Sequence, residues 1–459
     1  MHINKRYAHL LILVCSLLLT GFDGFGCTDE ESSDESSDES TNSRISVGDE
    51  QKISGNSGGF NGNLGNGDQF GSAVTDPGDL EADGVRDLAV GAPFDNDDGN
   101  DKGAVWILFM DDNGRVDQEQ KISSTAGSFG GDLDDDDLFG SALAGIDDLN
   151  VDGGLDLAVG VPGDDAGGTD RGGVWILFLD IEGKVRQEQK IASDTGNFDG
   201  NLDDDDRFGS AIADIGDVNG DGIMDLVVGA PNDDDGSDNA GAVWILFMRL
   251  DGTVETWQKI SREAGGFDGN LKADDNFGAA VAGMGDLDDD GIPDLVVGAP
   301  GGDDSGAERG EIWILFLDSE GKVRQEQKIA EGTGGFNGAL DDGDRFGSAI
   351  AGIGDMNNDG VRDLAVGAPN DDDGASDAGA IWILLMKTDG RADGWQKVSA
   401  SAGEFNGNLN ANDHFGAAVT GIGNLDNRGI ADLAVGAPGD DAGGLNQGAV
   451  WILFMERRI

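Results

Sequence analysis

Cysteine, histidine, tyrosine and basic side chains are all scarce in this chain. Its 459 residues include 2 cysteines, 3 histidines, 1 tyrosine and 29 lysines and arginines, against 91 acids. The formal net charge of −62 argues against nucleic acid and anionic membranes as partners, because both would repel it. His2, His9 and Tyr7 lie in the first ten residues, so any nucleophile–histidine arrangement has only His414 to build on. No G-x-S-x-G elbow, Walker loop or redox C-x-x-C is present. Glycine is abundant instead, at 79 residues, and hydrophobic residues make up 38% in short dense runs, which argues for a folded core.

The longest apolar run is near the N-terminus, in "MHINKRYAHLLILVCSLLLTGFDGFGC". Lys5 and Arg6 form a basic end, and Leu10 to Leu19 is too short to span a bilayer, so residues 1–26 are expected to be an export signal. A buried N-terminal helix is the structural alternative. Cys15 would leave with the signal, and Cys27 would remain unpaired. That placement resembles the lipid-attachment site of bacterial lipoproteins, although Gly24 and Phe25 stand where that family prefers Leu and a small residue. Ordinary cleavage that leaves a free thiol is the other outcome. Residues 27–45 are acidic, rich in serine and too polar to fold, as suits a tether.

From residue 46 to 459 the chain repeats. "QKI" or "QKV" begins at Gln51, Gln120, Gln189, Gln258, Gln327 and Gln396, and a Phe-Gly pair begins at Phe70, Phe139, Phe208, Phe277, Phe346 and Phe415. Every step is 69 residues. Each unit carries four strand signals, illustrated by "FGSAIADI", "DLVVGAP", "AVWILFM" and "TWQKIS" in the third copy (208–261). Runs such as "WILFM" are apolar on consecutive residues, which buries both faces of a strand inside a stack of sheets. Four strands at this period predict an all-β fold, a six-bladed propeller of four-stranded antiparallel blades. The last unit lacks its fourth strand and "SVGDEQKIS" (46–54) supplies one, so the N-terminal strand is expected to close the ring. An open stack or a solenoid is the alternative.

Between the first two strands of each unit lies an acidic nine-residue loop. Oxygen-bearing side chains fall at positions 1, 3, 5 and 9 of the first five. They are Asp79, Glu81, Asp83 and Asp87; Asp148, Asn150, Asp152 and Asp156; Asp217, Asn219, Asp221 and Asp225; Asp286, Asp288, Asp290 and Asp294; and Asp355, Asn357, Asp359 and Asp363. Alternate residues point inward, the glycine at position 6 permits a sharp turn, and position 7 can offer its carbonyl. This pattern suits a hard cation, and calcium better than magnesium because it accepts six to eight oxygens in a flexible cage. No histidine or cysteine is there for zinc. An EF-hand is excluded, since its position-12 glutamate is replaced by Val228 in an apolar run. The plain alternative is an Asx-rich turn that needs no metal. In the sixth loop, Asn424 to Asp432, Arg428 replaces the position-5 carboxylate, so about five calcium sites are expected. Arg428 is expected to pair with Asp426 or Asp432.

The order "FG … D-x-[DN]-x-D-G-x-x-D … GAP" resembles the FG-GAP repeats of the integrin α-subunit propeller across nearly all of 46–459, and "FGAAVAGMGDLDDDGIPDLVVGAP" (277–300) matches it almost ideally. The resemblance implies a β-propeller with calcium in the first hairpin loop of its blades, in secreted or surface proteins used for adhesion. This chain departs from it in having six repeats where the integrin head has seven, and in Val161 within the second Gly-Ala-Pro. Integrin-style ligand recognition does not transfer.

Other acidic features are less specific. Asp68, Asp137, Asp206, Asp275, Asp344 and Asp413 recur two residues before each Phe, and read as turn caps or as part of a second cation site between blades. Trp257 and Trp395, outside the 69-residue series, read as neighbour packing or as a binding patch. The expected function is a non-enzymatic surface adhesion or ligand-binding module. Its partner would be an unknown protein or glycan, with membrane contact only through a lipid anchor, and the ring is expected to be monomeric. A calcium-assisted polysaccharide-cleaving enzyme and a passive structural coat are the alternatives.

Overall fold

A computed structural model describes residues 44–97 and 99–458. The expected export signal, Cys27 and the tether up to residue 43 lie outside the described residues. Among the described residues, twenty-four strands form six four-stranded antiparallel sheets, the blades of a propeller. In the third blade the strands are Ala211–Gly216, Asp225–Ala230, Ala242–Met248 and Val254–Ser261, paired in that order. First strands line the central axis, where Val74, Leu143, Ile212, Val281, Ile350 and Val419 face one another around a narrow cavity.

The core lies between blades. In the third strand of blade three, Val243, Ile245 and Phe247 pack towards blade four, while Trp244, Leu246 and Met248 pack towards blade two. Side chains alternate across a strand, so a run buried on both faces must be apolar at every position. A single blade would expose both faces to water, and only stacking hides them. The ring closes as expected. Arg44–Ser54 pairs antiparallel with Ala449–Arg458, and a core layer of the sixth and first blades joins Ile452 to Leu108. The closing strand takes in Arg44 and Ile45, which the sequence had placed in the tether.

One strand boundary differs from the sequence reading. Phe208 and Gly209 precede the inner strand. Phe208 is fully buried and forms a single parallel bridge to Gly172 of the preceding blade. Gly209 has φ of 95°, and a Cβ there would fall 2.2 Å from the Gly173 carbonyl oxygen. The glycine of Gly-Ala-Pro answers the same constraint from the other side. A Cβ at Gly229 would lie 1.9 Å from the Gly278 carbonyl oxygen of the next blade. The two motifs are therefore the two halves of one blade-to-blade backbone contact.

A second repeated node ties the outer strand to the rest of its blade. Lys121 Nζ lies 2.7 Å from Asp95 and 5.4 Å from the Trp106 ring centroid, and Lys259 and Lys397 repeat this with Asp233 and Asp371, each at 2.6 Å. Lys190 pairs with Asp164, and Lys52 of the closing strand with Asp440. In blade four Gly302 replaces the aspartate and Glu311 supplies the carboxylate instead. A Cβ on Gly302 would fall 2.6 Å from Glu311 Cγ, so the glutamate fills the vacated space. In the sequence these lysines stood out only as markers of the period.

Candidate metal loops

Each acidic loop joins the inner strand of a blade to the second. In loops one to five the position-1 aspartate caps the turn with both oxygens. In loop three, Asp221 N–H donates to Asp217 Oδ1 at 3.0 Å and Gly222 N–H to Asp217 Oδ2 at 2.8 Å. The position-5 carboxylate then accepts the amide of position 7, as Asp221 does from Ile223 at 2.8 Å. Position 4 is left-handed in every loop, which the sequence did not reveal, because only loop three has glycine there. Val151 takes that conformation at φ 60°, a strained geometry for a β-branched residue.

Position 9 has a role that sequence reasoning missed. Asp225 is fully buried, and it accepts the Val218 amide at 3.0 Å and the Met248 amide at 3.2 Å. Asp87, Asp294, Asp363 and Asp432 make the same pair of bonds. The carboxylate thus pins the loop to the end of the third strand. Burial pushes Asp225 up to about 7, and Asp294, Asp363 and Asp432 to about 6. Asp87 is pushed up to about 8 by burial, with the adjacent Glu81 carboxylate adding to the effect.

Several buried oxygens in these loops are left over. Glu81 Oε2 and both carboxylate oxygens of Asp156 have no hydrogen-bond partner, and Asp156 is fully buried. The Leu149 and Asn150 amides approach Asp156 without closing a bond to it. Unpaired buried carboxylates are costly unless they take up a proton or a cation. In loops one and four, the carboxylates of Asp79, Glu81 and Asp87, and of Asp286, Asp288 and Asp294, offer oxygens within 4.8 Å of one another. The residues present fit a divalent cation held by oxygen.

The loops differ in what stands at position 3. Asn150, Asn219 and Asn357 each donate their amide to the position-5 aspartate, at 3.2, 2.9 and 2.8 Å. Loop four has Asp288 there, and Arg324 of the outer strand reaches in to pair with both Asp288 and Asp290. In loop six Arg428 turns outward, 66% exposed at its side chain, and pairs with Asp426 at 3.2 Å, not with Asp432.

The remaining candidates each make a structural contact. The aspartate before each Phe-Gly caps a turn, as Asp206 does by accepting the Asp203 amide at 2.8 Å. Trp257 and Trp395 pack on Trp244 and Trp382, at centroid distances of 4.9 and 5.3 Å. His414 has its Nδ1 against the carbonyl of Pro369, the proline of the preceding repeat's Gly-Ala-Pro, at 3.2 Å.

The family model for the FG-GAP repeat matches residues 208–246, 277–315 and 346–384. The chain carries FG-GAP repeats and is similar to integrin α subunits. It is 32% identical to Integrin alpha pat-2 of Caenorhabditis briggsae over 248 residues, covering 51% of this chain and 18% of that protein. It is 35% identical to Integrin alpha-11 of Homo sapiens over 176 residues, covering 36% of this chain and 13% of that protein. The chain thus spans less than a fifth of the length of these curated relatives. A solved chain of BBS1N, crystallised in complex with ARL6DN, aligns with a TM-score of 0.39 and 11% identity over 84% of this chain and 92% of that one, a likeness that carries no argument.

Proposed function

We propose that this protein is an exported, calcium-loaded propeller that serves at a cell surface as a non-enzymatic adhesion or ligand-binding module. The observation that carries the metal reading is the buried, unpartnered carboxylate oxygen of Glu81 and Asp156, in loops whose oxygen pattern recurs five times. Calcium suits the all-oxygen donor set, with position 7 carbonyls available beside the side chains. It would also favour the ionised form of the position-9 aspartates, which burial disfavours. Similarity to integrin α over half the chain supports adhesion, and the N-terminal sequence supports export.

Each ion would add only about 1–1.5 kcal/mol at millimolar calcium and a dissociation constant near 10⁻⁴ M. Five ions acting on one ring sum to a marked shift in melting. Calorimetric titration of the full chain is expected to show five calcium ions, one for each intact loop, with a higher melting temperature in calcium than in EDTA. Arg428→Asp should admit a sixth. Attachment of the purified protein to cells or matrix should require calcium. No uptake and an unchanged melt would remove the metal reading, and attachment that ignores EDTA or never occurs would remove the adhesion reading.

A further inference from the structure

We infer that Arg324 is a built-in competitor for calcium in the fourth loop, so that the loop with the best sequence match is a weakened site. This rests on the calcium reading above. Arg324 lies on the outer strand Val323–Ile329, with its Nε donating to the Leu317 carbonyl at 2.6 Å. That bond aims the guanidinium at the loop, where Nη2 lies 3.3 Å from Asp288 Oδ2 and pairs with Asp290 as well. Both carboxylates are at ligand positions, so calcium can take them only by displacing the guanidinium.

Charge explains why, among the described residues, an outer-strand arginine enters the loop in one blade alone. Blade two has an arginine at the same register, Arg186, which is exposed and makes no ion pair among the described residues. Its loop carries the neutral Asn150 at position 3, already bonded to Asp152. Loop four instead brings Asp286, Asp288, Asp290 and Asp294 together. At the four ligand positions, with Asp289 left aside at position 4, four carboxylates and one guanidinium carry the same net charge as the three carboxylates of loops two, three and five. Loop one also has four carboxylates, but the matching outer-strand position is Asp117, so its charge is not offset. Loops one and four, alike in the acids at their ligand positions, should therefore differ in affinity.

The test is calcium calorimetry on the full chain. Wild type should show one site weaker than the rest, and Asp286→Asn should abolish that weak site. Arg324→Gln should tighten it by about tenfold, Arg324→Lys should retain the weakness, and Arg186→Gln should change nothing. If Arg324→Gln fails to fold, Arg324→Ala, which also removes the guanidinium from Asp288 and Asp290, carries the test and should tighten the site likewise. Equal affinities in wild type and Arg324→Gln, alongside five bound ions, would overturn the role of Arg324 and leave the calcium reading standing. No uptake by any variant would overturn both.

Discussion

Glu311 holds Lys328 in the fourth blade, where the other five blades hold their lysine with an aspartate two residues beyond the proline of Gly-Ala-Pro or its variant. The glutamate also accepts the Trp313 indole N–H at 3.1 Å, while the indoles of Trp106, Trp175, Trp244, Trp382 and Trp451 are buried without a partner. One blade has thus moved its carboxylate from the loop after the second strand to the start of the third strand and gained a hydrogen bond. Glu311→Ala should cost about 2–3 kcal/mol, because Lys328 keeps only the half-exposed Asp304 as a partner. Adding Gly302→Asp should restore most of the loss. Urea unfolding of the two variants measures both, and a cost-free Glu311→Ala would show that the exchange is not compensation.

Asp432 separates the structural role of position 9 from the proposed metal role. It sits in the loop that carries Arg428, yet it is fully buried and accepts the Leu425 and Met455 amides, each at 2.8 Å. Asp432→Ala leaves two buried donors unmet and should cost about 2–4 kcal/mol, equally in calcium and in EDTA. Asp363→Ala in loop five should cost more in calcium than in EDTA, because it removes a ligand as well. Melting curves in the two buffers decide this, and a calcium-dependent cost at Asp432 would show that loop six binds metal after all.

The turn-capping aspartates set a pH dependence. Burial raises Asp206 to about 7 and Asp137 and Asp344 to about 6, above an ordinary value of 3.8. The folded chain therefore binds these protons more tightly than the unfolded chain. Their contribution to stability is fully present below about pH 4 and is lost as pH rises through 6 to 7. In EDTA the protein should unfold at higher urea at pH 5 than at pH 8. Asp206→Asn keeps an oxygen for the Asp203 amide but no charge. It should gain about 1 kcal/mol over wild type at pH 8 and little at pH 5. The opposite slope, or no gain at pH 8, would refute the assignment.

The loops show where sequence reasoning reached and where it stopped. Their oxygen pattern was legible because it is a local property written along the sequence. The second task of position 9 was not, since Asp225 meets Met248 twenty-three residues further on. Arg324 was missed for the same reason. It lies thirty-six residues from Asp288, and its twin Arg186 shows that the register alone does not place a guanidinium in a loop. Val151 looked unremarkable until its backbone proved left-handed.

By itself the sequence determined the period, the number of blades, the closing strand and the oxygen pattern of the loops. These follow from strand alternation, burial on both faces and the repetition of one unit, and all three can be read along a single chain. Tertiary structure alone decided which charges meet across strands and blades: Lys328 with Glu311, Arg324 with Asp288, and Gly436 against the Gly71 carbonyl, where a Cβ would fall 1.9 Å away. Such contacts depend on the space and charge that neighbouring segments leave for each other, which periodicity does not encode.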